Sequence, residues 1–305
     1  MEISSEKPNQ VTIGICTRNN ESTISTALRS ILVLNYPKSL LRVVLVDGLS
    51  TDQTLSEAMA VLRDSHVEWL ILSDSGKGLG YARQLIVDKS ESEYLAFIDA
   101  DQSLDADWLN ASLSFLASHP NAAGVRGRQC ITNGLPLPSA LENYIKAVED
   151  KEAGLQTRID NFGLGGTLFR RQSILEAGGF DSSFTRCAED TDLALKLQKK
   201  GWKILNSKEA VFYHSPRTSW RSLYNQYNSW GRDVTLVGGK HGELAGELNR
   251  GRVLSESLST FLVAVKYVPR AYESSRDIRS LLLPLQCLFK RAAYVTGFLL
   301  SIESR

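Results

Sequence analysis

The sequence lacks both the charge excess of a nucleic-acid binder and the paired cysteines of a metal or redox motif. Its 35 Lys and Arg nearly cancel its 34 Asp and Glu over 305 residues, whereas a dedicated nucleic-acid binder shows a large basic excess. The four cysteines lie far apart without CxxC or CxH pairing, which disfavours a zinc ribbon, a redox dithiol or a disulfide scaffold. We therefore expect reduced thiols, no nucleic-acid partner and a small-molecule ligand.

The amino-terminal residues lack the apolar run of a secretion signal. Residues 1–10 are polar and carry two acidic residues, so we expect a short polar segment on a cytoplasmic protein. At the other end, residues 250–305 hold nine Lys and Arg against four Asp and Glu, while the residues before them are mildly acidic. The sequence thus predicts one globular domain over residues 11–250 and a basic, leucine-rich helical region over residues 251–305.

Short apolar runs alternate with helical patterns along the predicted domain. This alternation is typical of an α/β fold in which helices cover a mostly parallel sheet. The predicted strands are Val11–Cys16, Arg42–Val46, Val67–Leu72 and Tyr94–Ile98, and the predicted helices are Ser22–Leu34, Thr51–Arg63 and Leu79–Lys89. Open sheets of this kind bind ligands at the carboxyl ends of their strands.

Polar residues follow each of the four predicted strands. They are Thr17–Asn19, Asp47–Asp52, Asp74–Gly78 and Asp99–Asp101. One such segment is commonly a turn, but four at one edge of a sheet indicate a ligand site of nucleotide size.

Asp99 and Asp101 stand two residues apart after the fourth strand, so their carboxylates lie on the same side of an extended segment. Two close carboxylates repel each other, and a hard cation such as Mg²⁺ or Mn²⁺ relieves this repulsion while also binding phosphate oxygens. The pair is therefore predicted to bind a divalent metal. The alternative interpretation is an ordinary turn.

Taken together and in this order, these segments resemble those of family 2 glycosyltransferases, which are inverting enzymes of the GT-A fold that use nucleotide-diphosphate sugars. The resemblance covers about residues 11–235. Asp47–Asp52 is similar to the family's Asp-(Asp/Gly)-x-Ser-x-Asp segment, Gly76–Arg83 to its glycine-rich turn ending in Ala-Arg, and Asp99–Asp101 to its metal motif. The resemblance implies Mn²⁺ or Mg²⁺ as cofactor and assigns donor-nucleotide contacts to Thr17, Asn19, Asp47, Lys77, Arg83 and Asp99.

Two later segments resemble the acceptor side of the family's site. Gly163–Gln172, with Gly165 and Gly166, is similar to the acceptor-side loop, and Glu189 with Asp190 matches an acidic pair whose second residue is the usual catalytic base. This implies that Asp190 takes the proton of an attacking hydroxyl while the metal stabilises the leaving diphosphate. The alternative for the acidic pair is a helix amino terminus favoured by the helix dipole.

The segment 226–232 resembles the Gln-x-x-Arg-Trp box of processive polysaccharide synthases, with Ser229 where Arg is expected. We predict a non-processive enzyme with Gln226, Trp230 and Arg232 on its acceptor side. The alternative is an amphipathic helix that only packs.

His214 and the segment around Asp99 can each be interpreted in more than one way. His214 is either a structural histidine or, as in several GT-A enzymes, a further metal ligand beside Asp101 and Asp99. The segment around Asp99 also resembles in part the nucleophile motif of haloacid-dehalogenase-like phosphatases, although that motif normally opens their fold. A non-catalytic nucleotide-sugar binding module is the third hypothesis for the whole chain.

The carboxyl-terminal region contains an apolar stripe at helical spacing. Its members are Leu281, Leu285, Leu288, Ala292, Val295, Leu299 and Ile302. Lys290 and Arg291 interrupt the region and leave charge-free stretches of 10 and 11 residues, short of the roughly 20 that span a membrane. We expect residues 253–305 to make peripheral contact with the cytoplasmic face of an anionic membrane. We also expect a glycan or a polyprenyl- or lipid-linked acceptor. The alternative is packing on the catalytic domain or on a second subunit.

Overall fold

The computed structural model describes residues 9–157, 162–216, 219–242 and 250–303. Within these ranges the strands are β1 (Val11–Thr17), β2 (Leu41–Asp47), β3 (Glu68–Ser73), β4 (Tyr94–Asp99), β5 (Gln102–Leu104), β6 (Ala122–Cys130), β7 (Thr167–Arg170) and β8 (Lys203–His214). The helices are α1 (Ile24–Leu32), α2 (Thr54–Leu62), α3 (Leu79–Lys89), α4 (Trp108–Ser118), α5 (Leu137–Glu152), α6 (Arg171–Glu176), α7 (Glu189–Lys199), α8 (Trp220–His241), α9 (Arg250–Ser275) and α10 (Leu283–Glu303).

The four predicted strands are confirmed, and their order places the predicted site at one edge. The described strands form one sheet in the order β3-β2-β1-β4-β7-β6-β8-β5. The first four are parallel neighbours, but β7 runs antiparallel to β4 and β6, and β5 runs antiparallel to β8. The sheet is therefore mixed beyond β4, and the carboxyl ends of β1 to β4 lie side by side.

The predicted helices are also confirmed, with α3 at the predicted bounds and α1 and α2 shorter by a few residues. Strand β2 shows why helices cover both faces of the sheet. Val43 and Leu45 pack into one hydrophobic cluster with α1 and α2, whereas Val44 and Val46 pack into a second cluster with α3 and α7. Because side chains alternate along a strand, a continuously apolar strand must be buried on both faces.

The carboxyl-terminal helices pack on the domain through small and charged side chains. A Cβ on Gly231 of α8 or on Gly297 of α10 would collide with the backbone of the other helix. Lys290 turns inward, where its Nζ donates to Glu142 Oε1 at 2.6 Å. Lys290 therefore lies on the face of α10 that packs against α5, a placement that was not predicted from the sequence. No helix of the described residues is long and apolar enough to cross a membrane.

Candidate active site

Hydrogen bonds tie the polar loops after β1, β2 and β3 into one rim. The Asn19 backbone N–H donates to Ser50 Oγ at 2.9 Å, and Asn19 Oδ1 accepts from the Thr51 backbone N–H at 2.9 Å. The Asp74 backbone N–H donates to the Asp47 carbonyl oxygen at 3.0 Å. These bonds cross between neighbouring loops, so the three loops hold one another in place.

Backbone strain concentrates around this rim. Among described residues other than glycine, Asn19, Leu49, Ser75 and Ala188 have positive φ angles of 53°, 61°, 53° and 69°, and Arg276 is the one such residue elsewhere. Each conformation of this kind costs on the order of 1 kcal/mol or more and persists where the surrounding contacts enforce it. Strain at functional sites is common, and here it marks the three loops and the residue that precedes Glu189.

Asp47 and Asp74 have different roles in the rim. Both Asp74 oxygens accept backbone N–H groups, from Gly76 at 2.8 Å and from Gly78 at 3.1 Å, so this carboxylate organises its own loop. Asp47 Oδ2 accepts from the Ser50 N–H at 3.0 Å, but its buried Oδ1 has no hydrogen-bond partner among the described residues. An unsatisfied buried acceptor is costly, and a nucleobase N–H would satisfy it.

Arg83 connects two parts of the site that lie far apart in sequence. Its side chain is 5% exposed, and Nη2 donates to Asp99 Oδ1 at 2.9 Å, while Nε lies 3.6 Å from Glu189 Oε1. Asp99 Oδ2 accepts from Gln102 Nε2 at 3.1 Å. This contact of Gln102 was not predicted from the sequence. The signal that could have identified it is that Gln102 directly follows Asp101 of the predicted metal motif.

Asp101 and His214 are brought together by the pairing of β5 with β8. Gln102 is opposite His214 in the antiparallel register, and Asp101 Oδ1 lies 3.2 Å from His214 Nε2. Two ligands bound to one octahedral cation at about 2.1 Å are about 3.0 Å apart at right angles, so this pair fits a divalent metal with open positions. No group of three or more His, Cys, Asp or Glu side chains suited to a metal occurs in the described ranges. A metal here would need donor-substrate oxygens as further ligands.

Glu189 and Asp190 open α7 but occupy different environments. Glu189 is 3% exposed, and burial, followed by the charge of Asp190, raises the pKa of its carboxyl to about 8. Burial also raises the pKa of Asp190, whose Oδ1 accepts from its neighbour Thr191. Asp190 is only partly buried, so it is the member of the pair that a substrate hydroxyl can reach.

The predicted acceptor loop lies directly against Asp99. A Cβ at Gly165 would collide with Asp99 Oδ2 and with the Gln102 side-chain amide, and a Cβ at Gly166, whose φ is 70°, would meet the ring of Phe212. Glycine at both positions thus allows the loop to approach the carboxylate closely.

The other predicted residues make contacts of their own outside this group of carboxylates. Thr17 Oγ1 donates to Asn20 at 3.2 Å, and Lys77 Nζ lies 4.3 Å above the ring of Tyr81. Trp230 on α8 is partly exposed and packs edge-to-face against Tyr227, with 4.7 Å between ring centroids. Within the described part of the chain, no hydrogen bond or ion pair connects Gln226, Trp230 or Arg232 to Asp190.

Comparison with known proteins identifies the family of this chain. The model described as "Glycosyl transferase family 2" matches residues 12–178, and the one described as "Glycosyl transferase family 21" matches residues 139–249. The poly(ribitol-phosphate) beta-N-acetylglucosaminyltransferase TarS of Staphylococcus aureus is 24% identical over 220 residues, which are 70% of this chain and 36% of TarS. Glucomannan 4-beta-mannosyltransferase 7 of Arabidopsis thaliana is 30% identical over 149 residues, which are 46% of this chain and 26% of that protein. The chain thus spans well under half of the length of these two relatives.

Solved structures share the fold. The mannosyltransferase PcManGT from Pyrobaculum calidifontis, in complex with GDP-Man and Mn²⁺, superposes with a TM-score of 0.67 at 18% identity, covering 98% of this chain and 88% of that one. S. aureus TarS 1-349 in complex with UDP-GlcNAc superposes with a TM-score of 0.57 at 16% identity, covering 97% and 92%. At such identities the likeness confirms the expected GT-A fold.

Proposed function

Because the chain belongs to glycosyl transferase family 2, we propose that it transfers a sugar, with inversion, from a nucleotide-diphosphate sugar to a hydroxyl of a glycan or lipid-linked acceptor. The observation that carries this proposal is the double contact of Arg83. This one buried side chain holds Asp99, on the donor side, close to Glu189 and hence to the partly exposed Asp190. A donor sugar that lies beside Asp99 and an acceptor hydroxyl that binds at Asp190 would meet at the anomeric carbon between them.

The donor nucleotide would lie along the rim made by the loops after β1, β2 and β3. The unsatisfied Oδ1 of Asp47 offers an acceptor for a base N–H, and Lys77 and Arg83 place positive charge where the diphosphate would lie. Of the two similar solved structures, one is a complex with GDP-Man and the other a complex with UDP-GlcNAc. Both nucleotides therefore belong in any donor screen.

Asp101 and His214 would hold Mn²⁺ or Mg²⁺ at the diphosphate, with Asp99 beside them. When bound, the metal neutralises negative charge that develops on the leaving nucleoside diphosphate. Asp99 itself is held by Arg83 and Gln102. Its proposed role is to fix the geometry of this part of the site and to contact either the donor ribose or the donor-bound metal.

Asp190 would act as general base on the acceptor hydroxyl. A proton acceptor works best when its pKa lies near the working pH, and burial moves the pKa of Asp190 upward from its ordinary value. Glu189, with its pKa near 8, stays largely protonated at neutral pH, so the role of base is given to Asp190. Attack from the Asp190 side, opposite the departing diphosphate, inverts the anomeric centre.

Gln226, Trp230 and Arg232 are proposed to lie along the acceptor path. Ser229 stands in place of the arginine of the processive box, which supports transfer of one sugar per encounter.

Purified full-length protein with Mn²⁺, incubated with a panel of UDP- and GDP-sugars, tests the proposal. Slow hydrolysis of one donor, or its transfer to an added glycan or polyprenyl acceptor, supports it. Phosphate release from a phosphomonoester without use of any donor supports the phosphatase alternative instead.

Gly165→Ala provides a local test of the donor side. The added methyl group would displace the Asp99 carboxylate and Gln102, and displacements of this kind at a reacting centre cost about 10-fold or more in rate. We expect kcat/KM for transfer to fall by that amount in steady-state assays. Gly163→Ala is the matched control, because a Cβ at Gly163 meets no atom within 4 Å. Equal activity of the two variants would contradict the role given to the loop.

The outer face of α10 is proposed to bind an anionic membrane. We define this outer face by the exposed leucines of α10, which are Leu285, Leu288, Leu299 and Leu300, together with Leu281 and Leu282 of the short 3₁₀ turn directly before the helix. They include most of the stripe predicted from the sequence; the side chain of Ile302 lies outside the described residues. Helix α10 packs on α8, α9 and α5 within the described chain, and these leucines remain exposed to solvent. Nine basic residues against four acidic ones in residues 250–305 fit anionic lipid.

The double variant Leu285→Glu/Leu288→Glu tests this membrane proposal. In sedimentation with vesicles of anionic lipid, we expect wild type to sediment and the variant to remain largely in solution, because each charge must otherwise enter the lipid interface. Leu155→Glu is a matched control, since Leu155 is 57% exposed and Leu285 is 63% exposed. Wild type that stays soluble at low salt, or a double variant that binds as well as wild type, would contradict it.

A further inference from the structure

One face of α8 contacts the segment that carries the acidic pair. We define the base segment as residues 181–192, which run from the end of the Gly178-Gly179 turn into the first turn of α7. Asp233, Val237, Lys240 and His241 recur on α8 at spacings of four, three and one, so they share one side of the helix. Each of these four residues contacts the base segment or the residues packed on it.

The first contact is made directly before the acidic pair. Asp233 Oδ1 lies 3.2 Å from Arg186 Nη2, and Asp233 Oδ2 accepts from Cys187 Sγ at 3.2 Å. Ala188 follows with a φ of 69°, and α7 begins at the next residue. Asp233 thus fixes the chain at the point where it enters the strained turn before Glu189.

The middle of the base segment is held by packing and by an ion pair. Phe184 is fully buried and forms a hydrophobic cluster with Val237 and Leu195. Lys240 Nζ lies over the Phe184 ring, 4.8 Å from its centroid, and also bonds Asp181 and, at 2.6 Å, Ser183 Oγ. This lysine therefore contacts the segment at three points.

The last contact is a buried pair inside the first turn of α7. His241 Nε2 lies 2.8 Å from Asp192 Oδ1, and the two side chains are 4% and 1% exposed. Lys196 Nζ lies 2.7 Å from the other Asp192 oxygen. Asp192 is two residues after Asp190, so a shift of the His241 contact would rotate or tilt the turn that presents the base.

The opposite side of the base segment is fixed to the donor rim. The Leu79 N–H donates to the Thr185 carbonyl at 3.0 Å, and the Gly80 N–H donates to the Phe184 carbonyl at 2.8 Å. The base segment is therefore held between the amino terminus of α3, which follows the third donor loop, and α8. The distance from Asp190 to the donor depends on both.

We propose that Asp233, Lys240 and His241 are positioning residues that set the placement of Asp190 against the donor. The inference rests on the proposed function, in which Asp190 takes the acceptor proton. None of the three side chains has a contact with a predicted donor residue in the described chain. Their loss should therefore lower the rate of transfer while leaving donor affinity unchanged.

His241→Leu and His241→Gln distinguish positioning from general stability. Leucine fills a similar volume but removes the partner of Asp192 Oδ1 while Lys196 stays at the other oxygen, whereas the glutamine amide can still donate to Asp192. In the full-length protein we expect His241→Leu to lower kcat about 10-fold or more, as small displacements of a catalytic group do. Glutamine should restore kcat to within about 3-fold of wild type, and the donor Kd, measured by calorimetry, should change less than about 2-fold in both variants.

The matched controls are His66→Leu and His66→Gln, because His66 is exposed and lies at the opposite end of the sheet, before β3. Lys240→Met provides a second variant in case His241→Leu does not fold. The decisive readout is a double-mutant cycle: in an Asp190→Asn background, His241→Leu should cost little further activity, because the residue acts through Asp190.

Three results would overturn the positioning role. They are unchanged kcat in His241→Leu, parallel loss of donor binding and kcat in both His241 variants, or full additivity with Asp190→Asn. A failure of the proposed function is recognised separately, since wild type would then neither transfer nor hydrolyse any donor sugar.

Discussion

Replacing Asp190 with Asn is expected to slow sugar transfer roughly 100-fold or more while the donor Kd stays near that of wild type. The amide cannot accept the acceptor proton, and Asp190 is the more exposed carboxyl of the acidic pair. In wild type, kcat/KM should fall at acid pH with a midpoint above 3.8, because burial raises the pKa of Asp190 above that ordinary value and only the ionised carboxylate is a base. The pH profile of the slow residual transfer in Asp190→Asn should lack this limb.

Asp64→Asn serves as the control for this variant, because Asp64 is exposed after α2 and belongs to no part of the site. Glu189→Gln tests the division of roles within the pair. If that variant loses the acidic limb and Asp190→Asn keeps it, the base is Glu189 and the assignment here is wrong. A mild effect of Asp190→Asn together with full metal dependence would instead indicate an acceptor, such as a phosphate, that is already ionised at neutral pH.

Replacing Asp101 with Asn is expected to remove the dependence of donor binding on Mn²⁺ and to lower kcat/KM on the order of 100-fold or more. A neutral amide is a weaker ligand than a carboxylate for a hard divalent cation. His214 Nε2 lies 3.2 Å from the Asp101 carboxylate. Loss of this carboxylate would leave His214 as the remaining metal ligand of the pair. Calorimetric titration of the donor nucleotide with and without Mn²⁺ measures the effect directly.

His214→Ala should reproduce part of this loss if the imidazole is the second ligand. Asp105→Asn, which is close in sequence but whose carboxylate accepts the Asp107 backbone N–H at 3.1 Å, should retain the metal dependence. Normal Mn²⁺-dependent affinity in Asp101→Asn would remove the metal site from the proposal. If Asp101→Asn loses the Mn²⁺-dependent donor affinity and His214→Ala keeps it, His214 is a structural partner of the Asp101 carboxylate and not a metal ligand.

Local patterns in the sequence predicted much of the first half of the chain. The apolar runs 11–16, 42–46, 67–72 and 94–98 are short, alternate with helical patterns and end in polar loops, which indicated parallel strands covered on both faces with their loops at a common edge. The later site residues were predicted from the family motifs, because no periodic sequence pattern relates Glu189 and Asp190 to Asp99. Mixed pairing beyond β4 was not predicted, since β5 and β7 have three and four residues and give little periodic signal.

Which charges face one another depends on packing between elements that are distant in the sequence. Three contacts of this kind shape the molecule, and they join residues that are 16 to 148 positions apart. Arg83 joins Asp99 to Glu189, Asp101 lies beside His214, and Lys290 points inward to Glu142. A helical pattern shows which residues share a face but not which face is buried. In α10 the glycine contact with α8 buries the face that contains Lys290, and the leucine stripe is left exposed as a consequence. Local propensity determines the elements, whereas close packing between them selects the partners of each polar group.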